Sequence, residues 1–220
     1  MIENINKNIS YCAAVSADMV ALSTMGDNLG DEICAYAAAS GNLDVLVWLA
    51  ERGYVIDENV ACVAAHEGHI HIMEWLLEMS HPIPLFAVNA AAIGGKLNIV
   101  RWASKFVTID NSVFGYAIIC DNLNILEWGF NENYKFSKDS SIIAAESNNM
   151  PMLMWIMNHG GAWHRSITLA AVKNCNVRMF EWAAANGCPF DELQCIEHSK
   201  CNHTLIGSII SVNCNVLPSI

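Results

Sequence analysis

Apolar residues recur in this chain in short, closely similar blocks. Leu43, Ile70, Leu97, Leu123, Met150 and Val177 are each followed after one intervening residue by an apolar pair, as in Ile72-Met73 and Ile99-Val100, then by a Trp and a further residue. Apolar positions at about i, i+2, i+3, i+5 and i+6 mark the covered stripe of a short amphipathic helix. Before each block stands an Ala-rich run with its own helical character, and between run and block stand Gly41, Gly68, Gly95, Asp121, Asn148 and Cys175, mostly residue types that tolerate the left-handed backbone at a helix end. The pattern predicts a helix, a turn and a second helix in every block.

The blocks are a tandem repeat. Six of the seven tryptophans, Trp48, Trp75, Trp102, Trp128, Trp155 and Trp182, are spaced by 27, 27, 26, 27 and 27 residues, and eleven positions before each stands Ala37, Ala64, Ala91, Ala117, Ala144 or Ala171. Small residues in the first helix allow neighbouring helices to approach closely, while larger residues of the second fill the remaining space. One helix pair cannot bury both its helices alone, so stability is expected to come from stacking pair on pair. Each Trp offers about 150 to 250 Å² for burial, so the six are expected to dominate the core, with Trp102→Ala costing about 3 to 5 kcal/mol. The unit around 112–133 departs most: it is one residue short, carries Asp121 at the turn and has Gly129 after its Trp, which predicts a local kink.

With the register set, the pattern resembles the ankyrin repeat. That family's A-A-x-x-G, apolar pair and leucines correspond to Ala64-Ala65-His66-Glu67-Gly68-His69, Ile72-Met73 and Trp75-Leu76-Leu77, and its second Gly to Gly53, Gly160 and Gly187. The usual ankyrin period is about 33 residues, so roughly six are missing where the family carries its β-hairpin finger. The stretch Asn186 to Glu192, NGCPFDE, is similar to the linker of a short-loop ankyrin class common in large DNA viruses and some protists. The resemblance spans about Asp31 to Leu193 and implies an all-α, ankyrin-like solenoid of stacked helix-turn-helix repeats without fingers. Six units would occupy 31–193, with degenerate capping units at 1–30 and 194–220.

The resemblance also implies a function, non-covalent binding of another protein by a scaffold or adaptor. In ankyrin proteins the two residues before the turn Gly often face the target. Their counterparts are Ala39-Ser40, His66-Glu67, Ile93-Gly94, Ile119-Cys120, Glu146-Ser147 and Lys173-Asn174. This mixed strip suits a partner read by shape and hydrogen bonds. Ile93 and Ile119 either add apolar contacts to it or are covered by neighbouring helices.

Composition narrows the alternatives. At 54% hydrophobic and 15% charged, with a mean hydropathy of +0.30, the chain is too apolar for intrinsic disorder. Twenty-two acids against eleven Lys and Arg leave a net charge of −11, which disfavours nucleic acid and anionic membrane as partners. The leading MIENINKNIS has no apolar stretch of about 7 to 15 residues and does not resemble a secretory signal. No run reaches the ~18 apolar residues of a membrane span. A monomeric, intracellular, cytoplasmic protein is expected, and its nine cysteines are expected to be reduced.

Candidate chemistry is sparse. Cys188, Cys195, His198, Cys201, His203 and Cys214 form the densest soft-ligand group and carry the alternative of a zinc-binding protein or an enzyme, yet they lack a C-x2-C knuckle. A decaying member of a repeat family without a dedicated partner is a further alternative, to which the degenerate last unit lends weight. His66, His69 and His71 straddle a predicted turn and suit backbone hydrogen bonding better than a metal. Cys34, Cys62 and Cys120 read as small buried thiols, and Gly94-Gly95 as a turn with no phosphate-loop context. No enzyme activity and no cofactor are expected.

Overall fold

The computed structural model describes residues 2–25, 29, 30, 32–199 and 203–216, and of 2–7, 203 and 212–216 it describes the backbone alone. Among these residues there is no strand, and the chain forms sixteen helices. It divides into two compact units, residues 1–116 and 117–220, with the division inside one helix. The first unit holds α1 (Ile2–Val15), α2 (Met19–Thr24), α3 (Ile33–Ser40), α4 (Leu43–Glu51), α5 (Glu58–Glu67), α6 (Ile70–Glu78), α7 (Leu85–Ile93), α8 (Leu97–Ala103) and the start of α9 (Asn111–Ile119). The second holds the end of α9, α10 (Leu123–Asn131), α11 (Ser140–Glu146), α12 (Met150–Asn158), α13 (Arg165–Lys173), α14 (Val177–Ala185), α15 (Glu192–His198) and α16 (His203–Val216). Asp31, Cys201 and the last four residues lie outside the described set.

Packing follows the repeat. In the first unit α1, α3, α5 and α7 contact one another in sequence, and α3, α5 and α7 each pack on the helix that follows. In the second unit α11, α13 and α15 do the same. The alanine column explains the close approach, because Ala37, Ala64, Ala91, Ala117, Ala144 and Ala171 are all fully buried.

Every turn between the two helices of a repeat is built alike. Gly41, Gly68, Gly95, Asp121, Asn148 and Cys175 all have positive φ, from +54° to +90°. In each case the next residue donates its N–H to the carbonyl of the column alanine at 2.8–2.9 Å, satisfying an acceptor that the helix end leaves open. At Cys175 the left-handed backbone carries a Cβ, which costs about 1 to 2 kcal/mol; the turn is retained all the same. Ala17, with φ +55°, closes an equivalent turn between α1 and α2, where Asp18 N–H donates to Ala13 at 2.9 Å.

The core differs from expectation in its tryptophans. The apolar pair and the residue after the Trp are buried in all six repeats, for example Val45, Leu46 and Leu49, or Ile72, Met73 and Leu76. Of the six tryptophans only Trp128 is buried, at 6% exposure, and the other five are half-buried. Helical geometry accounts for this. At about 100° per residue the pair and the following residue lie near 60°, 160° and 100° around the helix axis, and the Trp lies at 0°, on the flank of that stripe. The indoles close the edges instead: Trp48 lies 3.7 Å under the Arg52 guanidinium, Trp102 packs against Phe106 at 5.2 Å and Trp182 against Trp163 at 5.3 Å.

The expected kink in the short repeat is likewise absent, since α10 runs unbroken through Gly129, which is buried. Gly129 falls on the covered stripe, where the missing side chain leaves room for Trp128 to sit deeper than its counterparts.

At Asn42, His69, Asn149 and Asn176 the residue after the turn joins one repeat to the one before. Asn149 accepts from Met152 N–H at 3.0 Å as the cap of α12, while its Nδ2 donates to Asp121 Oδ1 at 2.7 Å. Asn176 repeats the arrangement, accepting from Met179 N–H at 2.9 Å and donating to Asn148 Oδ1 at 2.8 Å. In the first unit Asn42 Nδ2 donates to the Ala14 and Val15 carbonyls at 2.8 Å, and His69 Nε2 donates to Ala39 O at 2.9 Å. Asn149→Ala is expected to cost about 1 to 2 kcal/mol through the lost cap. Asn149→Asp keeps the cap acceptor but sets a carboxylate against Asp121, so its urea midpoint should fall at pH 7 and recover as the pH is lowered through the carboxylate range.

Candidate functional site

The residues ahead of the turns lie at the C-terminal ends of the first helices, where the helix has just left its neighbours and side chains emerge. In the first unit His66 and Glu67 end α5, both about half exposed, with the His66 imidazole donating from Nδ1 to Glu67 Oε1 at 2.9 Å. That hydrogen bond holds the Glu67 carboxyl below the usual range. Ile93 at the end of α7 is 40% exposed. In the second unit Ile119 is 56% exposed, and Glu146, Ser147, Lys173 and Asn174 are all exposed. Both isoleucines thus remain exposed.

Three members of the strip are engaged within the fold. Ser40 Oγ donates to the Tyr36 and Ala37 carbonyls at 3.0 and 3.1 Å and accepts from Asn42 Nδ2 at 2.9 Å, so its hydroxyl serves the turn. Asn174 Nδ2 donates to Ala145 O at 3.1 Å and Glu146 O at 3.3 Å, fastening α13 to the end of α11. Gly94 is pressed against the backbone of His66: a Cβ placed on it would stand 2.1 Å from the His66 carbonyl oxygen.

Residues beyond the predicted strip also shape the first helices. In the first unit a cleft of about 310 Å³ opens between α3 and α5, lined by Glu32, Ala35, Tyr36, Ala39, Asn59 and Val63. Tyr36 stacks on Tyr11 with ring centroids 4.3 Å apart. Tyr36, Phe86 and Tyr116 are aromatic residues left 38–44% exposed on first helices. Their signal in the sequence is a large side chain within a helix otherwise made of small ones, as Tyr36 stands within Ala35-Tyr36-Ala37-Ala38-Ala39.

The histidines near the second turn serve the backbone. His69 and His71 reach back with Nε2 to the carbonyls of Ala39 and Gly41, each at 2.9 Å. Gly41 is needed for this approach, because a Cβ there would meet the His69 ring at 2.7 Å. Within the C-terminal Cys/His group, Cys188 and Cys195 are buried, and Cys188 Sγ donates to His164 O at 3.3 Å. His198 Nδ1 bonds Gln194 O at 2.9 Å. Cys201 and the side chains of His203 and Cys214 lie outside the described residues. Among the described residues no group of three or more His, Cys, Asp or Glu is placed to hold a metal ion, and no helix is long and apolar enough to cross a membrane.

Burial controls the thiols. It pushes Cys34, Cys188 and Cys195 up to about 11, with the Asp57 charge adding to the effect at Cys34 and that of Asp191 at Cys195. Cys12 and Cys175 are exposed. Iodoacetamide at pH 8 is therefore expected to label Cys12 and Cys175 first and the three buried thiols only as fast as the chain opens. A buried thiol that ionises less readily when folded favours the native state below its unfolded value of 9.0. Stability from these groups should therefore decline as the pH rises from about 9 to about 11, as thermal melts across that range would show. No protein-family model and no curated protein matches this chain.

Proposed function

We propose that the protein is a non-enzymatic binding module for another protein, built as an ankyrin-like solenoid and acting as a monomer in the cytoplasm. The observation that carries this reading is the contrast between two faces of the first helices. The column alanines are fully buried, whereas side chains just before the turns are left outside, including apolar Ile93 and Ile119 at 40% and 56% exposure. Exposed apolar side chains set among hydrogen-bonding ones are what a protein partner reads by shape and polarity together. In the first unit His66 and Glu67 add an oriented donor–acceptor pair at the same repeat position, and Glu146, Ser147 and Lys173 occupy that repeat position in the second unit. Ser40 and Asn174, already bonded within the fold, contribute shape.

The absent hairpin fingers narrow the recognition edge, so affinity rests on the helix ends. Affinity capture from the native cell, with the wild type beside a His66→Ala/Glu67→Ala variant, tests the reading. The variant should retain its melting temperature and lose captured partner. Equal capture by both proteins would remove this row from the interface.

A further inference from the structure

The repeat supplies its own control for every joint between one helix pair and the next. From each Trp to the column alanine of the next repeat the spacing is the same, save for one residue fewer between Trp102 and Ala117, so the joints differ in composition rather than in length. The joint at 132–139 is the one with two lysines, Lys135 and Lys138, in a chain with only eleven Lys and Arg. Phe130, just before it, is 42% exposed, while the residues at its position in the other repeats, Ala50, Leu77, Ser104, Met157 and Ala184, are all half-buried. Extra positive charge and an outward aromatic ring thus fall together at one joint, and packing of the repeat requires neither.

The structure places these departures around one cleft of about 330 Å³ in the second unit, lined among others by Phe130, Tyr134, Lys135, Phe136, Lys138 and His159. Its aromatic wall is held in place. His159 stacks on Trp155 at 4.1 Å and 23° and bonds the Trp155 carbonyl through Nδ1 at 2.7 Å, and Phe130 meets the His159 ring edge-on at 4.7 Å. The joint's acids, Glu132 and Asp139, do not line the cleft. Neither lysine has an ion-pair partner among the described residues, where the single ion pair is His66–Glu67.

We propose that this cleft binds a small molecule consisting of a planar ring system with one anionic group, a carboxylate or a phosphate. The ring would lie against Phe130 and His159, and the anion would meet Lys135 and Lys138. A volume near 330 Å³ is at the lower end for ligand pockets, about 300 to 1,000 Å³, which suits one or two fused rings and excludes a dinucleotide. Because the chain as a whole carries −11 and repels anions at long range, selectivity for an anion has to come from these two local charges.

The test titrates the full chain with phenylacetate and with phenyl phosphate, reading tryptophan fluorescence and the amide resonances of residues 159–162. Cyclohexaneacetate, which lacks the planar ring, and inorganic phosphate serve as controls. Saturable binding of at least one ring anion at about 1 mM or tighter is expected, with both controls about tenfold weaker or worse. The stronger of the two ring anions identifies the acid group. Lys135→Ala/Lys138→Ala, at exposed positions, should keep the melting temperature and weaken binding by about tenfold or more. Phe130→Ala should weaken it likewise, and if that variant melts early the lysine variant decides alone. No saturation by either ring anion below about 10 mM, controls that bind equally well, or a folded lysine variant that binds like wild type would overturn the proposal.

Discussion

Phe180→Ala is expected to destabilise the protein by about 3 to 5 kcal/mol, and Trp182→Ala, two residues on in the same helix, by about half as much. Phe180 is fully buried and meets Phe190 edge-on at 5.5 Å, so removing its ring leaves a cavity that the rigid stack of α13, α14 and α16 cannot refill. Trp182 is larger but only half-buried, and its loss opens the flank of the helix to solvent, where water replaces part of what is removed. Urea titrations of the two variants give the comparison directly, with unchanged slopes showing that both still unfold as wild type does. A greater loss at Trp182 would return the indoles to the dominant role that their spacing first suggested.

Gly94→Ala is expected to cost about 3 kcal/mol, at the upper end of the range for overpacking. The adjacent Gly95→Asn should stay within about 1 kcal/mol, because Asn tolerates the left-handed backbone. The two glycines are required for different reasons. Gly95 has φ +68° and occupies the turn position where other repeats carry Asp121 or Asn148. Gly94 has ordinary helical torsions, and its Cα lies against the end of α5, so an added Cβ would sit 2.1 Å from the His66 carbonyl oxygen and 3.0 Å from its carbonyl carbon. Backbone cannot rotate aside as a side chain does, so α5 and α7 would have to separate. Thermal melts of both variants test the distinction, and equal shifts would show that the crowding at Gly94 is relieved at little cost. Because Gly94 supports the ends of both helices, its variant should also disturb the exposed His66 and Ile93 beside it.

Much of the fold was legible because its determinants are local. The alanine before each turn, the left-handed residue after it and the apolar pair beyond lie within about a dozen residues of one another, and every repeat shows them again. The repeat register therefore fell where the chain carries it, even at Cys175, whose type argues against a left-handed turn. The flanking role of the tryptophans was also present in that register, since a residue about 100° from the centre of a stripe lies at its edge; the size of the side chain obscured its angle. Asn42, Asn122, Asn149 and Asn176 form a visible column as well, but its purpose was not legible, because the partners of Asn42, Asn149 and Asn176 stand 27 or 28 residues earlier.

The candidate strip was legible as a set of positions and much less as a set of free groups. Nothing local distinguishes the hydroxyl of Ser40 or the amide of Asn174, tied into the fold, from the exposed carboxylate of Glu67. The exposure of Ile93 and Ile119 depends on how far the next helix reaches. By itself, the sequence determined the helices, their joints and the left-handed turns, because each is settled by backbone torsion and capping within a few residues. The tertiary structure decided which flank of each helix is sealed, which side chains staple one repeat to another, and that Lys135 and Lys138 share a cleft with Phe130 and His159. Those outcomes depend on where the neighbouring repeat lies, and no single repeat contains that information.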